Sequence, residues 1–155
     1  MAKEYSPFVF ATGITSNLID ELGHANYNSL KEVFEIARHR LCKHLGFGRK
    51  VLREHLQLGL FMSSDSYEYR QVLKLHDLIF FIPKIVVDSP ARIIITFRVL
   101  RLYCKERGDE MTLTNSATYH MVMVNLKTQK PTRIPKSIIR SIERWQEERK
   151  ILMGG

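Results

Sequence analysis

One stretch of helical period is followed by four stretches of strand period, and that order constrains the chain more than any other feature. The helical stretch runs from Leu30 to Leu45. Its apolar residues fall at Leu30, Val33, Phe34, Ala37, Leu41 and Leu45. Spacings of three and four put them in one stripe along a helix. Ser29 and Glu32 have the spacing of a capping box, in which serine caps a backbone amide and glutamate reaches back. Lys43 and His44 suit the negative end of the helix dipole, and Gly46 suits the positive φ of a C-terminal cap. The pattern predicts a long helix that ends at Gly46.

Around this helix the chain reads as strands. Phe8 to Leu18 is rich in β-branched and aromatic residues and predicts a first strand, with a bulge or close backbone approach at Gly13. Phe47 to His55 is ambiguous and suits a short helical turn. Strands are then expected at Leu58 to Arg70, His76 to Asp88, Ala91 to Cys104 and Leu113 to Leu126. Pro83 inside the second of these implies an edge or a bulge. Gly108-Asp109 is expected to close a hairpin, and Lys127 to Pro131 to form a turn. Pro135 and Lys136 open a final helix through Lys150, with Ile138, Ile139, Ile142 and Trp145 on one side. Short connections between successive strands imply an antiparallel sheet, and helix against sheet gives an α+β fold.

Both faces of the last two long strands are apolar. Ala117, Tyr119, Met121 and Met123 alternate with Val122, Val124 and Leu126; Ile94, Leu100 and Leu102 oppose Ile95, Phe97 and Val99. One helix covers one face, so a second copy of the chain is expected over the other.

At 155 residues the expectation is a single domain over 1–155. The apolar share of 45% is enough for a real core, and the formal net charge of +8 favours an anionic partner. Cys42 and Cys104 have no metal-type spacing and read as small buried hydrophobes in a reducing compartment. The histidines show no metal spacing either, so no metal site is expected. Leu78 to Val87 is too short to cross a bilayer, and Met1 to Phe10 lacks the apolar run of a signal peptide. These readings point to a cytoplasmic protein with no membrane partner. Basic runs interleaved with aromatics are missing, which disfavours nucleic acid as the partner.

Asp20, Gly23-His24-Ala25-Asn26 and Glu35-Ile36-Ala37-Arg38 together resemble the hotdog-fold thioesterases. The resemblance is to the 4-hydroxybenzoyl-CoA thioesterase-like branch, marked by Asp-x-x-Gly-His-x-Asn. Met121 to Thr128 followed by Arg133-Ile134-Pro135 is similar to the last strand and tail of that branch. The resemblance implies a hotdog fold: about five antiparallel strands wrapped around one long central helix, plus a C-terminal helix. It implies hydrolysis of an acyl-CoA or acyl-carrier-protein thioester, as in fatty acid metabolism, by a homodimer or homotetramer. No separate cofactor is implied, since coenzyme A or phosphopantetheine belongs to the substrate. The chain departs from the pattern at Leu18, where the branch carries a second Asp, and at Tyr27, where it carries a second Asn.

By the same resemblance Asp20 is the catalytic carboxylate, as nucleophile or as general base. An Asp ahead of a helix also serves as a simple cap. His24 would hold the thioester carbonyl or orient Asp20, or else pack as a polar residue at a helix start. Asn26 would fix the loop or the water, and Gly23 would allow a sharp turn or a close approach. Backbone amides near Tyr27 and Asn28 are the candidate oxyanion donors. Ser63 and Ser64 fall where some hotdog enzymes place a polar site residue, though two serines also make an ordinary polar kink. Lys127, Lys130, Arg133, Lys136 and Arg140 form a basic tail suited to the phosphates of coenzyme A or to an acidic carrier, or merely to solubility. Two other readings remain within the fold. One is a non-catalytic acyl-thioester-binding module. The other is a hydratase or dehydratase, disfavoured because those enzymes resemble Asp-x-Asn-Pro-x-His and no proline separates Asp20 from His24.

Overall fold

The structure is a computed structural model that describes residues 10–105 and 108–152. Its long helix, α1 (Tyr27–His44), buries Leu30, Val33, Phe34, Ala37 and Leu41, the expected stripe. The cap is Asn26 rather than Ser29. Asn26 has an extended backbone (φ −73°, ψ 137°), and its Oδ1 accepts the Asn28 N–H at 2.8 Å. Its own N–H donates to Leu18 O, which leaves its carbonyl to accept from Leu30 N–H and start the helix there. Asparagine caps as well as serine, so the earlier residue takes the role. At the other end Gly46 has φ +88°, and the Phe47 N–H donates back to Cys42 O at 3.0 Å.

The first strand, β1 (Phe10–Gly13), is shorter than expected. Ser16–Leu18 turns into a 3₁₀ segment, because the Leu18 N–H donates to Thr15 O; Phe8 and Val9 lie outside the described residues. After α1, Phe47 to His55 contains the helical turn anticipated there, α2 (Arg49–Val51), which continues as a π-helical turn over Leu52–Leu56. Four strands follow: β2 (Leu58–Tyr69), β3 (Leu78–Ser89), β4 (Arg92–Lys105) and β5 (Gly108–Asn125). A two-residue strand, β6 (Lys130–Pro131), and the helix α3 (Lys136–Leu152) end the described chain.

All pairings are antiparallel, in the order β1-β3-β4-β5-β2, with β6 against the end of β5. Pro83 pairs opposite Phe97 on β4, and β1 pairs only Leu78 to Phe81 of β3. The proline therefore sits where β3 has no second neighbour among the described residues. Gly108 and Asp109, expected to close the hairpin, instead belong to β5 and pair with Lys105 and Cys104; residues 106–107 and the side chain of Cys104 lie outside the described ones.

The sheet curls around α1 and presents Phe81, Ile95, Phe97, Tyr119 and Met121 to it, all at most 1% exposed. Phe34 meets Phe81 edge to face at 5.0 Å. Each such ring contributes about 1.5–3 kcal/mol on burial. Ile138, Ile142 and Trp145 of α3 close the far end of the same core. The other face of the sheet is left half-covered, with Ile94, Val122 and Val124 neither buried nor fully exposed. No helix among the described residues is long and apolar enough to cross a membrane.

Candidate active site

Two elements bring the turn ahead of α1 into shape. Ile19 bridges Ala25, so residues 20–24 form the tip of a tight hairpin. Across that tip the Asp20 N–H donates to His24 O at 2.9 Å and the Gly23 N–H to Asp20 O at 3.1 Å. Gly23 has φ +79°, which an L side chain rarely adopts, and this is the sharp turn its identity suggested. Asp20 Oδ1 accepts the N–H groups of Leu22 at 2.9 Å and His24 at 3.2 Å. Its other oxygen, Oδ2, has no hydrogen-bond partner among the described residues. The bland role of Asp20 and the chemical one therefore divide between its two oxygens: one holds the turn, the other is available.

The tip faces a cleft of about 350 Å³. Asp20, His24, Asn26 and Tyr27 line one side of it; Tyr69 and Asn115 line the other. Asn28 contributes differently from expectation. Its amide is consumed by the Asn26 cap, so it cannot also receive an oxyanion. The amides of Tyr27 and Ser29 have no partner among the described residues, and they stand at the positive end of α1.

The far wall was not visible in the sequence as part of a site. Tyr69 and Asn115 come together because they pair in register across β2 and β5. Asn115 is 2% exposed with Oδ1 unpartnered, and the buried Tyr69 hydroxyl is unpartnered too. Burial pushes the Tyr69 phenol up, with Tyr67 and Tyr27 adding to it, so it stays protonated and able to donate. Its ring packs on that of Tyr27 at 4.2 Å. Nothing local singles out Asn115, which lies among the polar Thr112, Thr114, Ser116 and Thr118.

The loop between β2 and β3 completes the wall. Leu73 O accepts the Ala25 N–H, and His24 bridges Lys74. Arg101, 6% exposed, holds this loop from β4: Nη1 donates to Val72 O at 2.9 Å, Nη2 donates to Gln71 Oε1 at 2.8 Å, and Asp77 Oδ2 lies 3.5 Å away.

Three predicted residues are elsewhere in the single chain. Ser63 is the extra residue of a bulge in β2 between Met62 and Ser64, and its Oγ donates to His120 O at 3.0 Å. Ser64 is exposed beside it, and Arg133 is exposed past β6. None of the three lines the cleft of Asp20. Among the described residues no group of three side chains is placed to hold a metal ion.

A family model for the thioesterase-like superfamily matches residues 14–142. The chain belongs to that superfamily. No curated protein sequence matches it. Solved hotdog structures resemble this member of the superfamily in fold. One is a hypothetical protein of Staphylococcus aureus in complex with CoA, at 22% identity and TM-score 0.79, covering 91% of this chain and 84% of that one. A second is a 1,4-dihydroxy-2-naphthoyl-CoA thioesterase from Synechocystis, at 15% identity and TM-score 0.75, covering 87% and 94%. A third is a gentisyl-coenzyme A thioesterase, at 16% identity and TM-score 0.71, covering 87% and 99%.

Proposed function

We propose that this chain hydrolyses an acyl-CoA thioester, with Asp20 as the reacting carboxylate. The observation that carries the reading is the free Oδ2 of Asp20 in one cleft with Tyr27, whose unpartnered amide stands at the start of α1. Thioester hydrolysis needs those two things together: a nucleophile or base, and donors for the oxygen that becomes negative. Asp20 attacks the carbonyl or activates water. The Tyr27 N–H donates to the oxyanion, and His24 holds the carbonyl or steadies the turn. The Tyr69 hydroxyl and Asn115 Oδ1 supply polar contacts to the acyl or pantetheine portion. The Asp-x-x-Gly-His-x-Asn branch of the superfamily is the best fit to this turn. Coenzyme A is supported as the carrier by the structural relatives solved with CoA or named for CoA thioesters. An acyl carrier protein suits the charge of +8 equally.

The single domain spans 1–155 and works as a homodimer or homotetramer in the cytoplasm. The half-covered outer face of the sheet and the outer edge of β2, unpaired among the described residues, support the assembly. Ser63, Ser64 and Arg133 then belong to surfaces that a second copy brings near a substrate.

The test is release of free thiol from a panel of acyl-CoA esters, short, long and aryl, followed with a colorimetric thiol reagent. Turnover that is saturable and lost in Asp20→Asn supports the reading. Tight binding with no thiol release would make the protein a binding module instead.

A further inference from the structure

Helix α1 borders a second cavity, at the end away from Asp20. Arg38 lies eleven residues beyond Tyr27, about 16 Å along the helix axis. There the second half of α1, the helical turns of α2 and the start of β2 surround a space of about 280 Å³. Cys42, Phe47, Leu52, Leu58, Leu60 and Met121 form its apolar walls. Burial pushes the Cys42 thiol up to about 12, so it remains an uncharged wall.

Arg38 lines the same space, and its side chain is 9% exposed. A guanidinium carries five N–H donors. Here none finds an oxygen at hydrogen-bond distance among the described residues. Nη1 reaches only Met121 Sδ, at 3.8 Å; Nη2 stands 3.7 Å from Glu35 Oε1; Nε has no partner. One face of the group lies over the Tyr119 ring, 5.4 Å from its centre. The one ion pair, to the exposed Glu35 carboxylate, is long and leaves Nε unpartnered, so this buried cation is under-satisfied and a second anion set against it would relieve the deficit. The mouth is basic as well. Arg49 Nη2 stands 3.4 Å from His39 Nε2, and Arg53 is exposed beside them. Such a rim draws anions inward.

We infer that this cavity binds a carboxylate on a small apolar body, an acyl or aryl acid, with the carboxylate on Arg38. The walls choose the class. Inside, hydrocarbon surrounds the single buried cation Arg38, which suits one negative charge on an apolar body; Arg49 and Arg53 are exposed at the mouth. A dry cavity of about 150 Å³ lined by such residues holds benzene, so this one has room for a ring and a carboxylate, or for a short alkyl chain. Free acids are what thioester hydrolysis releases. The site nevertheless stands on its own geometry, whether or not Asp20 performs that reaction.

The test is a titration of the isotope-labelled full chain, followed by amide chemical shifts. The probes are octanoate and 2-naphthoate, each beside its neutral amide. The expected result is saturable one-to-one binding, with shifts at Cys42, Phe47, Leu52 and Leu60 and not at Leu22 or Tyr27. Each carboxylate should bind at least about tenfold tighter than its amide, since its hydrogen bonds are charge-assisted. Arg38→Met should erase that preference. Leu60→Trp fills the cavity without touching Arg38 and should abolish binding of both probes; it decides the matter if Arg38→Met fails to fold. Equal affinity for acid and amide, shifts confined to the Asp20 cleft, or undiminished binding in Leu60→Trp would each overturn the proposal.

Discussion

A carboxylate with one oxygen fixed by two amides and the other unoccupied makes a sharp mutational test. In Asp20→Asn the side-chain oxygen can still accept from Leu22 and His24 N–H, so the turn should survive. The amide nitrogen replaces the free oxygen, and neither attack nor proton removal is then available. We expect kcat to fall about 10²–10⁴-fold with an unchanged melting temperature; near wild-type turnover in a normally melting variant would exclude Asp20 as the catalytic group. Gly23→Ala probes the same turn through the backbone. A Cβ there meets nothing within 4 Å, so the penalty is that of φ +79° alone. That conformation costs about 1–2 kcal/mol, a loss of roughly 2–4 °C per kcal/mol in a domain of this size, read by thermal unfolding. His39 offers a pH test. Burial first, then Arg38 and Arg49, hold its pKa below the ordinary 6.5. As pH falls the unfolded chain takes up this proton before the folded one does. His39 therefore contributes stability above pH 6.5 that is lost as pH drops below it. Urea midpoints measured from pH 8 to 5.5 should decline less in His39→Gln than in the wild type.

Elements explain which parts of this molecule a sequence reveals. The stripe of α1 was legible because a period of 3.6 is a local property, and so was the positive φ at Gly46. The four-strand run was legible for the same reason. The start of α1 was misplaced because capping depends on where the preceding hairpin delivers the chain: Asn26 accepts the role once its N–H is committed to Leu18 O. The far wall of the cleft was not legible at all. Tyr69 and Asn115 meet through strand register, and the loop from Arg70 to Asp77 takes its shape from Arg101, a residue of a strand two places away in the sheet. No local pattern encodes such pairings. Arg101 also sets a prediction. Arg101→Met removes the donors to Val72 O and Gln71 Oε1 and the ion pair to Asp77, whose Oδ2 keeps the Lys74 N–H. Losing hydrogen bonds from a charged donor costs about 1.5–3 kcal/mol each, less here because Asp77 is part-exposed and keeps the Lys74 N–H. Because the loop walls the cleft, KM for the best acyl-CoA should rise in the same variant. Denaturant unfolding and steady-state kinetics check the two effects separately; a stable variant with unchanged KM would show that Arg101 does not hold the wall.

At the scale of the whole molecule the open question is what covers β2. This strand is twelve residues long and lies at the end of the sheet, with β5 as its only neighbour among the described residues. An unpaired edge of that length presents a row of backbone donors and acceptors to solvent and invites another strand. The exposure of Phe61, at 49%, and the half-covered Ile94, Val122 and Val124 add apolar area that a lone chain leaves wet. Asp65 and Glu68 on β2 work against indiscriminate pairing, which favours one specific partner, a second copy. Two copies joined edge to edge make a continuous sheet with a two-fold axis between the β2 strands. In an antiparallel strand successive amides alternate between the two sides. Every second amide of Leu58–Tyr69 should therefore be protected from hydrogen exchange by β5 in any case, and the remainder only in the dimer. Light scattering at micromolar concentration should give a mass of at least twice 18.1 kDa. Exchange of the outward β2 amides should then accelerate on dilution, while those facing β5 stay slow. A mass of 18.1 kDa together with fast outward amides at every concentration would mean that the edge is free, and that the Asp20 cleft works within one chain.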